Sequence, residues 1–200
     1  MKYIVSFICL LAVMSVSAQP EKEEILAFQN KLNGEFMGDS LHSPLTKKQR
    51  LTFKGHDFYP IDLTYRVKAT LTRTPHEKPF KMAATRGEAK NYIRYGILRF
   101  SINGKEQQLN VYQNLDLIKK EGYKKHLFLP FKDLTNSVET YGGGRFIDLQ
   151  IPEGNTIICD FNKAYNPFCV YSDRFSCPVT PVENSLDVEI KAGVKGPTGD

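Results

Sequence analysis

Tyr92-Ile93-Arg94-Tyr95-Gly96-Ile97-Leu98-Arg99-Phe100-Ser101-Ile102-Asn103-Gly104-Lys105-Glu106-Gln107-Gln108-Leu109-Asn110-Val111-Tyr112 reads as one β-hairpin. Asn103-Gly104 tolerates positive φ at both central positions, which a two-residue type I′ turn requires. Folding the stretch about that turn sets Leu98 opposite Leu109 and Gly96 opposite Val111. The apolar side chains then share one face, and a slip of one residue would send all of them to water.

The same period of two extends outward from the hairpin. Leu63, Tyr65, Val67, Ala69 and Leu71 alternate with Thr64, Arg66, Lys68, Thr70 and Thr72, which predicts a half-buried strand. Phe80, Met82 and Ala84 suggest a short one. Further strands are predicted at Leu127 to Leu129 before Pro130, at Arg145 to Leu149, at Thr156 to Phe161, and where Leu186, Val188 and Ile190 alternate with Asp187, Glu189 and Lys191. No helical period separates them, and a chain with 13 Phe and 10 Tyr is well supplied with strand formers. The pattern predicts a mainly β fold, either an antiparallel β-sandwich or a partly open β-barrel.

One helix precedes the strands. Ile25, Phe28, Leu32 and Phe36 recur at helical spacing, with Glu21, Glu23 and Glu24 in the first turn, so a helix is expected over 21–38, ending at Gly38. Ser43-Pro44 has the form of a cap and first helical position for a short second turn. Residues 193–200 read as a loose tail. No repeat, linker or composition shift divides residues 19–200, which form a single β-rich domain of ordinary size.

The first eighteen residues predict the compartment. Lys2 is followed by an apolar run from Ile4 to Met14, broken only by Ser6, and Val16-Ser17-Ala18 supplies small residues at a cleavage site. This is the pattern of a secretory signal peptide over 1–18, cleaved after Ala18, and predicts a periplasmic or extracellular protein. The run is shorter than the roughly 20 residues that span a bilayer. The net charge of +5, spread along the chain, gives no basis for nucleic acid binding. Cys159, Cys169 and Cys177 remain after cleavage. In an oxidising compartment Cys169 and Cys177 are the expected pair, and their short loop would stabilise the fold by roughly 2.5 kcal/mol if geometry allows. Cys159, after Ile157-Ile158, reads as a small buried side chain.

Two polar blocks concentrate the candidate chemistry. One is Thr140-Tyr141-Gly142-Gly143-Gly144-Arg145-Phe146-Ile147-Asp148, and the other is Asp160-Phe161-Asn162-Lys163-Ala164-Tyr165-Asn166-Pro167-Phe168-Cys169, running on to Cys177-Pro178 and Glu183-Asn184. These blocks resemble the signature of domain-of-unknown-function family 1684, a group of uncharacterised bacterial and archaeal proteins. The resemblance runs from about Ser43-Pro44-Leu45 to Ala192-Gly193 and is strongest over Tyr141–Arg145, Asp160–Cys169 and Cys177–Asn184. Thr180 stands where the family commonly has proline, Val194 where it usually has glutamate, and Cys159 is unusual. The resemblance implies no activity.

The residues are therefore read for themselves. Gly143 and its neighbours can expose backbone N–H groups, and Arg145 offers a fork of donors, so the two together would suit a carboxylate or phosphate. The plainer reading is a tight bend entering a strand, with Arg145 paired to an acid. Asp160 and Asn162, two apart, would point the same way on an extended chain, and Tyr141 and Tyr165 would line a pocket or cover the core. Glu183 could return a second carboxylate toward Asp160 for acid–base work. The ligand-binding candidates are thus Arg145, Asp160, Asn162, Tyr165, Tyr141 and Gly143, and the catalytic candidates Asp160 and Glu183. No metal site or cofactor is expected: no CxxC occurs, and His42, His56, His76 and His126 lie away from both blocks in sequence. No serine-hydrolase elbow or phosphate-binding loop occurs. Three functions follow as expectations: a module binding a small polar or anionic molecule, a carboxylate-based hydrolase or lyase, and a structural or interaction protein of the envelope. The sequence does not define an oligomeric state.

Overall fold

The computed structural model describes residues 19–38 and 43–197. The predicted leader, residues 1–18, lies outside them. Two helices come first, α1 (Gln19–Met37) and α2 (Lys47–Thr52). Seven strands follow: β1 (Arg66–Arg73), β2 (Phe80–Met82), β3 (Lys90–Ile102), β4 (Lys105–Asn114), β5 (His126–Phe131), β6 (Arg145–Gln150) and β7 (Thr156–Asp160). They form one antiparallel sheet in the order β6-β5-β4-β3-β1-β7, with β2 beside β3. The fold is mainly β with an N-terminal helix, as the sequence predicts, and its single sheet curls into a half-barrel.

The hairpin has the predicted register. Leu98 faces Leu109 and Gly96 faces Val111, and Asn103 and Gly104 both take positive φ. The side chains of Leu98, Phe100, Leu109 and Val111 are buried, joined by Val67, Ala69 and Leu71 from β1. The sheet does not close on itself. Its edges, β6 and β7, border a hollow of about 290 Å³ lined by Ile147, Asp148 and Leu149 from one side and Ile158 and Asp160 from the other. Phe146 is paired instead with Tyr165, each donating its N–H to the other's carbonyl.

Four expectations need correction. The second helix starts at Lys47, because Thr46 and Gln49 form a capping box, while the Ser43 hydroxyl closes onto the Phe36 carbonyl at the end of α1. β1 begins at Arg66, because Asp62 caps a 3₁₀ turn over Leu63–Tyr65. Leu186, Val188 and Ile190 alternate inward as predicted but make no strand: the backbone meets the chain just after β5 at a single parallel bridge, Lys132–Ser185, with the Leu186 N–H donating to Lys132 and the Leu134 N–H to Val188, and no ladder continues from it. Of the expected tail 193–200, residues 198–200 lie outside the described residues, and Gly193 to Pro197 is not loose: Val194 is buried, and the N–H groups of Val194, Lys195 and Gly196 donate to Ala164, Asp57 and Glu139. Among the described residues no helix is long and apolar enough to cross a membrane.

Candidate functional site

Arg145 opens β6 with its side chain wholly out of solvent. Nη2 donates to Asp133 Oδ2 and to the Ile190 carbonyl, both at 2.8 Å, and Nη1 donates to the carbonyls of Ala192 (2.5 Å) and Val194 (3.2 Å). Carbonyls two residues apart on an extended chain point the same way. The guanidinium therefore stands where a strand partner would, satisfying a row of acceptors on the 190–194 segment. Asp133 completes the joint by accepting the Ile190 N–H at 3.1 Å. The glycines allow the approach. Gly144 takes φ +95°, and a Cβ there would lie 2.5 Å from the Phe131 carbonyl oxygen. A Cβ on Gly143 would strike the Tyr141 ring, and the Gly143 carbonyl accepts from Thr180 Oγ1 at 3.0 Å.

Asp160 and Asn162 are brought together, as their spacing suggests, but in a turn. Asp160 Oδ1 accepts from the Asn162 backbone N–H (3.0 Å) and side-chain amide (2.9 Å), and Oδ2 accepts from Arg66 at 3.1 Å. Asn162 also grips both backbone groups of Asp62, accepting its N–H at 3.0 Å and donating to its carbonyl at 2.9 Å. Asn184 repeats this at β4 and β5, pairing with the N–H and carbonyl of Asn110 and donating to the Pro130 carbonyl. Glu183 precedes it, exposed to solvent. The partners of Arg145, of Asp160 and of Glu183's neighbour Asn184 do not overlap, and no described hollow is lined by both Asp160 and Glu183.

Tyr165 leads to a different assembly. It lines a cleft of about 410 Å³ bounded by β3, β5, β6 and the 167–178 loop. Seven phenyl and phenol rings bound it: Tyr92, Tyr123, Phe128, Phe146, Tyr165, Phe168 and Phe175. They pack largely edge to face, with Phe128–Phe146 centroids 4.8 Å apart and Phe168–Phe175 5.3 Å apart. At the polar end, Asp148 takes a hydrogen bond on each oxygen, 2.9 Å from His126 Nε2 and 2.9 Å from the Tyr165 hydroxyl. The contact with Asp148 places a hydrogen on Nε2. In that tautomer the other nitrogen, Nδ1, is an acceptor, and it is buried without a hydrogen-bond partner. Burial, reinforced by the nearby Asp148 carboxylate, holds the Tyr165 phenol well above its usual range. Cys177, at the cleft wall, is pushed up to about 12 by burial, so it stands there as a neutral thiol.

A larger hollow of about 480 Å³ lies between α2 and the 194–197 segment. Its histidine, His56, is bonded through Nδ1 to Asn33 Oδ1 at 2.7 Å, and none of the buried side-chain atoms lining it lacks a partner. Among the described residues no group of three His, Cys, Asp or Glu side chains is placed to hold a metal. His126 went unrecognised in the sequence because it is remote from the polar blocks along the chain. Strand pairing of β5 with β6 puts it diagonally across from Asp148. The only local signal is one polar residue heading the apolar run His126–Phe131.

Fold and cleft define a class of small half-barrel with a ring-lined side cleft. The chain matches the model of the proteins of unknown function DUF1684 over residues 51–195. It belongs to that family. Among solved structures it is similar to an uncharacterised protein of Haloarcula marismortui determined by solution NMR, with 29% identity, a TM-score of 0.69, and coverage of 91% of this chain and 97% of that one. No curated protein matches it.

Proposed function

We propose that the protein binds a small molecule in the aromatic cleft, with the apolar body of the ligand against Phe128, Phe146, Phe168 and Phe175 and a hydrogen-bond donor meeting Asp148. The observation that supports this is a half-exposed carboxylate at the polar end of a cleft walled mainly by rings. Ligand sites are ordinarily apolar concavities with a few placed polar groups. Of the residues singled out in the sequence, Tyr165 belongs to this site directly, and Arg145 and Asp160 serve it by holding β6 and β7. The test is a melting-temperature screen of the purified protein against aromatic amines, amides, sugars and organic acids. A rise with ring-bearing donors, together with NMR shifts confined to residues 165–178 and β5, is expected. A flat screen removes the reading.

A second reading, a structural or interaction protein of the envelope, draws on a specific observation: Arg145, Asp160 and Asn162 are buried and spend their polar groups inside the fold. In that case the screen is flat and the protein is recovered in a stable complex from its own cell envelope.

The leader and cysteines support a proposal of export. Cys169 and Cys177 are free thiols in this structure, and the Cys169 N–H donates to Cys177 Sγ at 3.3 Å. On exposure to an oxidising disulfide the two would close a short loop beside the cleft, adding about 2.5 kcal/mol of stability. The expected outcome is a higher melting temperature in oxidised glutathione, reversed by dithiothreitol, and a mature chain whose N-terminal residue follows Ala18. An unchanged melting temperature in both buffers would count against the bridge.

A further inference from the structure

We propose that the cleft selects organic cations, a substituted ammonium held by ring faces and by Asp148; the proposal rests on the small-molecule reading above and narrows its ligand class. The chain carries 27 Lys and Arg residues, yet none lines the cleft. Its one acid is Asp148, whose side chain is 47% exposed and thus open to a ligand. On its far side Asp148 borders the hollow between β6 and β7, where the two cations are already engaged. Arg66 pairs with Glu24 and Asp160, and Lys163 pairs with Glu24. Among the described residues Asp148 has no lysine or arginine partner, only His126 and the Tyr165 hydroxyl.

Each component of the cleft favours positive charge. Aromatic faces carry negative potential and attract an ammonium within about 6 Å of the ring centre. A carboxylate at the end of a ring-lined cleft adds a direct ionic partner in a medium of lowered dielectric. The phenols of Tyr92 and Tyr165 and the Cys177 thiol stay neutral in these surroundings, so no second acid competes with Asp148 in the lining; the Arg174 guanidinium, outside it, stands 5.6 Å from the centre of the Phe175 ring. An anion would meet Asp148 with no cation to offset it. A primary, secondary or tertiary ammonium would in addition donate an N–H to the Asp148 carboxylate, while a quaternary one would rely on charge and ring faces alone.

The test uses the full chain and matched probes. Choline and 3,3-dimethylbutan-1-ol have the same shape and differ in charge; benzylammonium and benzyl alcohol make a ring-bearing pair, and benzoate is the anion. Titration calorimetry should show each cation binding at least roughly tenfold more tightly than its neutral partner, with benzoate weakest. Asp148→Asn should remove most of that preference. Phe175→Leu, at a half-buried wall position, should weaken cations and leave the fold intact by circular dichroism. Equal affinity within each pair, or tighter binding of benzoate, overturns the cation class and leaves small-molecule binding standing. Failure of every probe and of the wider screen overturns both.

Discussion

Arg145 carries its charge where no water reaches, and its worth to the fold follows from what it leaves behind when removed. Arg145→Met would strand Asp133, whose side chain is equally inaccessible, as an uncompensated buried carboxylate. A loss of about 3–5 kcal/mol is expected, read from urea melts, and Arg145→Lys should recover little because an ammonium cannot reach three carbonyls in a row. The plainer of the two sequence readings, a strand-starting bend with a paired arginine, describes this geometry well. What the sequence could not reveal is the partner, because Asp133 has no marking that separates it from the other acids of the chain. Gly144 is a second test. Gly144→Ala requires an L residue at φ +95° with its Cβ against the Phe131 carbonyl, and a loss of about 2 kcal/mol or more is expected in the same melts.

At the level of elements, α1 is fixed to the sheet by two unlike sets of contacts. Ile25, Leu32 and Phe36 are buried, while Glu24 makes partly exposed ion pairs with Arg66 and Lys163. Phe36→Ala should therefore cost about 3–4 kcal/mol and Glu24→Ala under about 1 kcal/mol, the latter vanishing in high salt. His56 adds a pH dependence to this docking. Burial holds its ring down to about 4, against an ordinary value near 6.5. The folded ring stays neutral while the unfolded chain takes up a proton, so stability is full above about pH 6.5 and is lost as pH falls toward 4. The loss is at most about 3 kcal/mol, and His56→Gln should flatten the stability profile in that window. The helix and hairpin were legible because their side-chain periods are local: Ile25 to Phe36, and Leu98 against Leu109. The Leu186–Ile190 stretch misled because alternation records which side is buried and says nothing about whether the backbone partner runs on far enough to make a ladder.

Over the whole molecule, side-chain amides and one guanidinium take places that strands would hold in a closed barrel. Asn162 grips Asp62, Asn184 grips Asn110, and Arg145 grips the 190–194 carbonyls. The two polar blocks stood out in the sequence for this reason, and the cleft did not, since its rings come from β3, β5, β6 and a loop that only the completed sheet assembles. The Arg145 joint also bears on biosynthesis. Its acceptors are nearly fifty residues downstream, so a nascent chain that has laid down β6 still holds a buried cation short of its carbonyls until Val194 emerges from the ribosome tunnel. Domains ordinarily consolidate from the N-terminal side as they are made. Here β6 is locked only once residues 190–194 have been made, so a chain cut short before them leaves the Arg145 charge without its carbonyl acceptors.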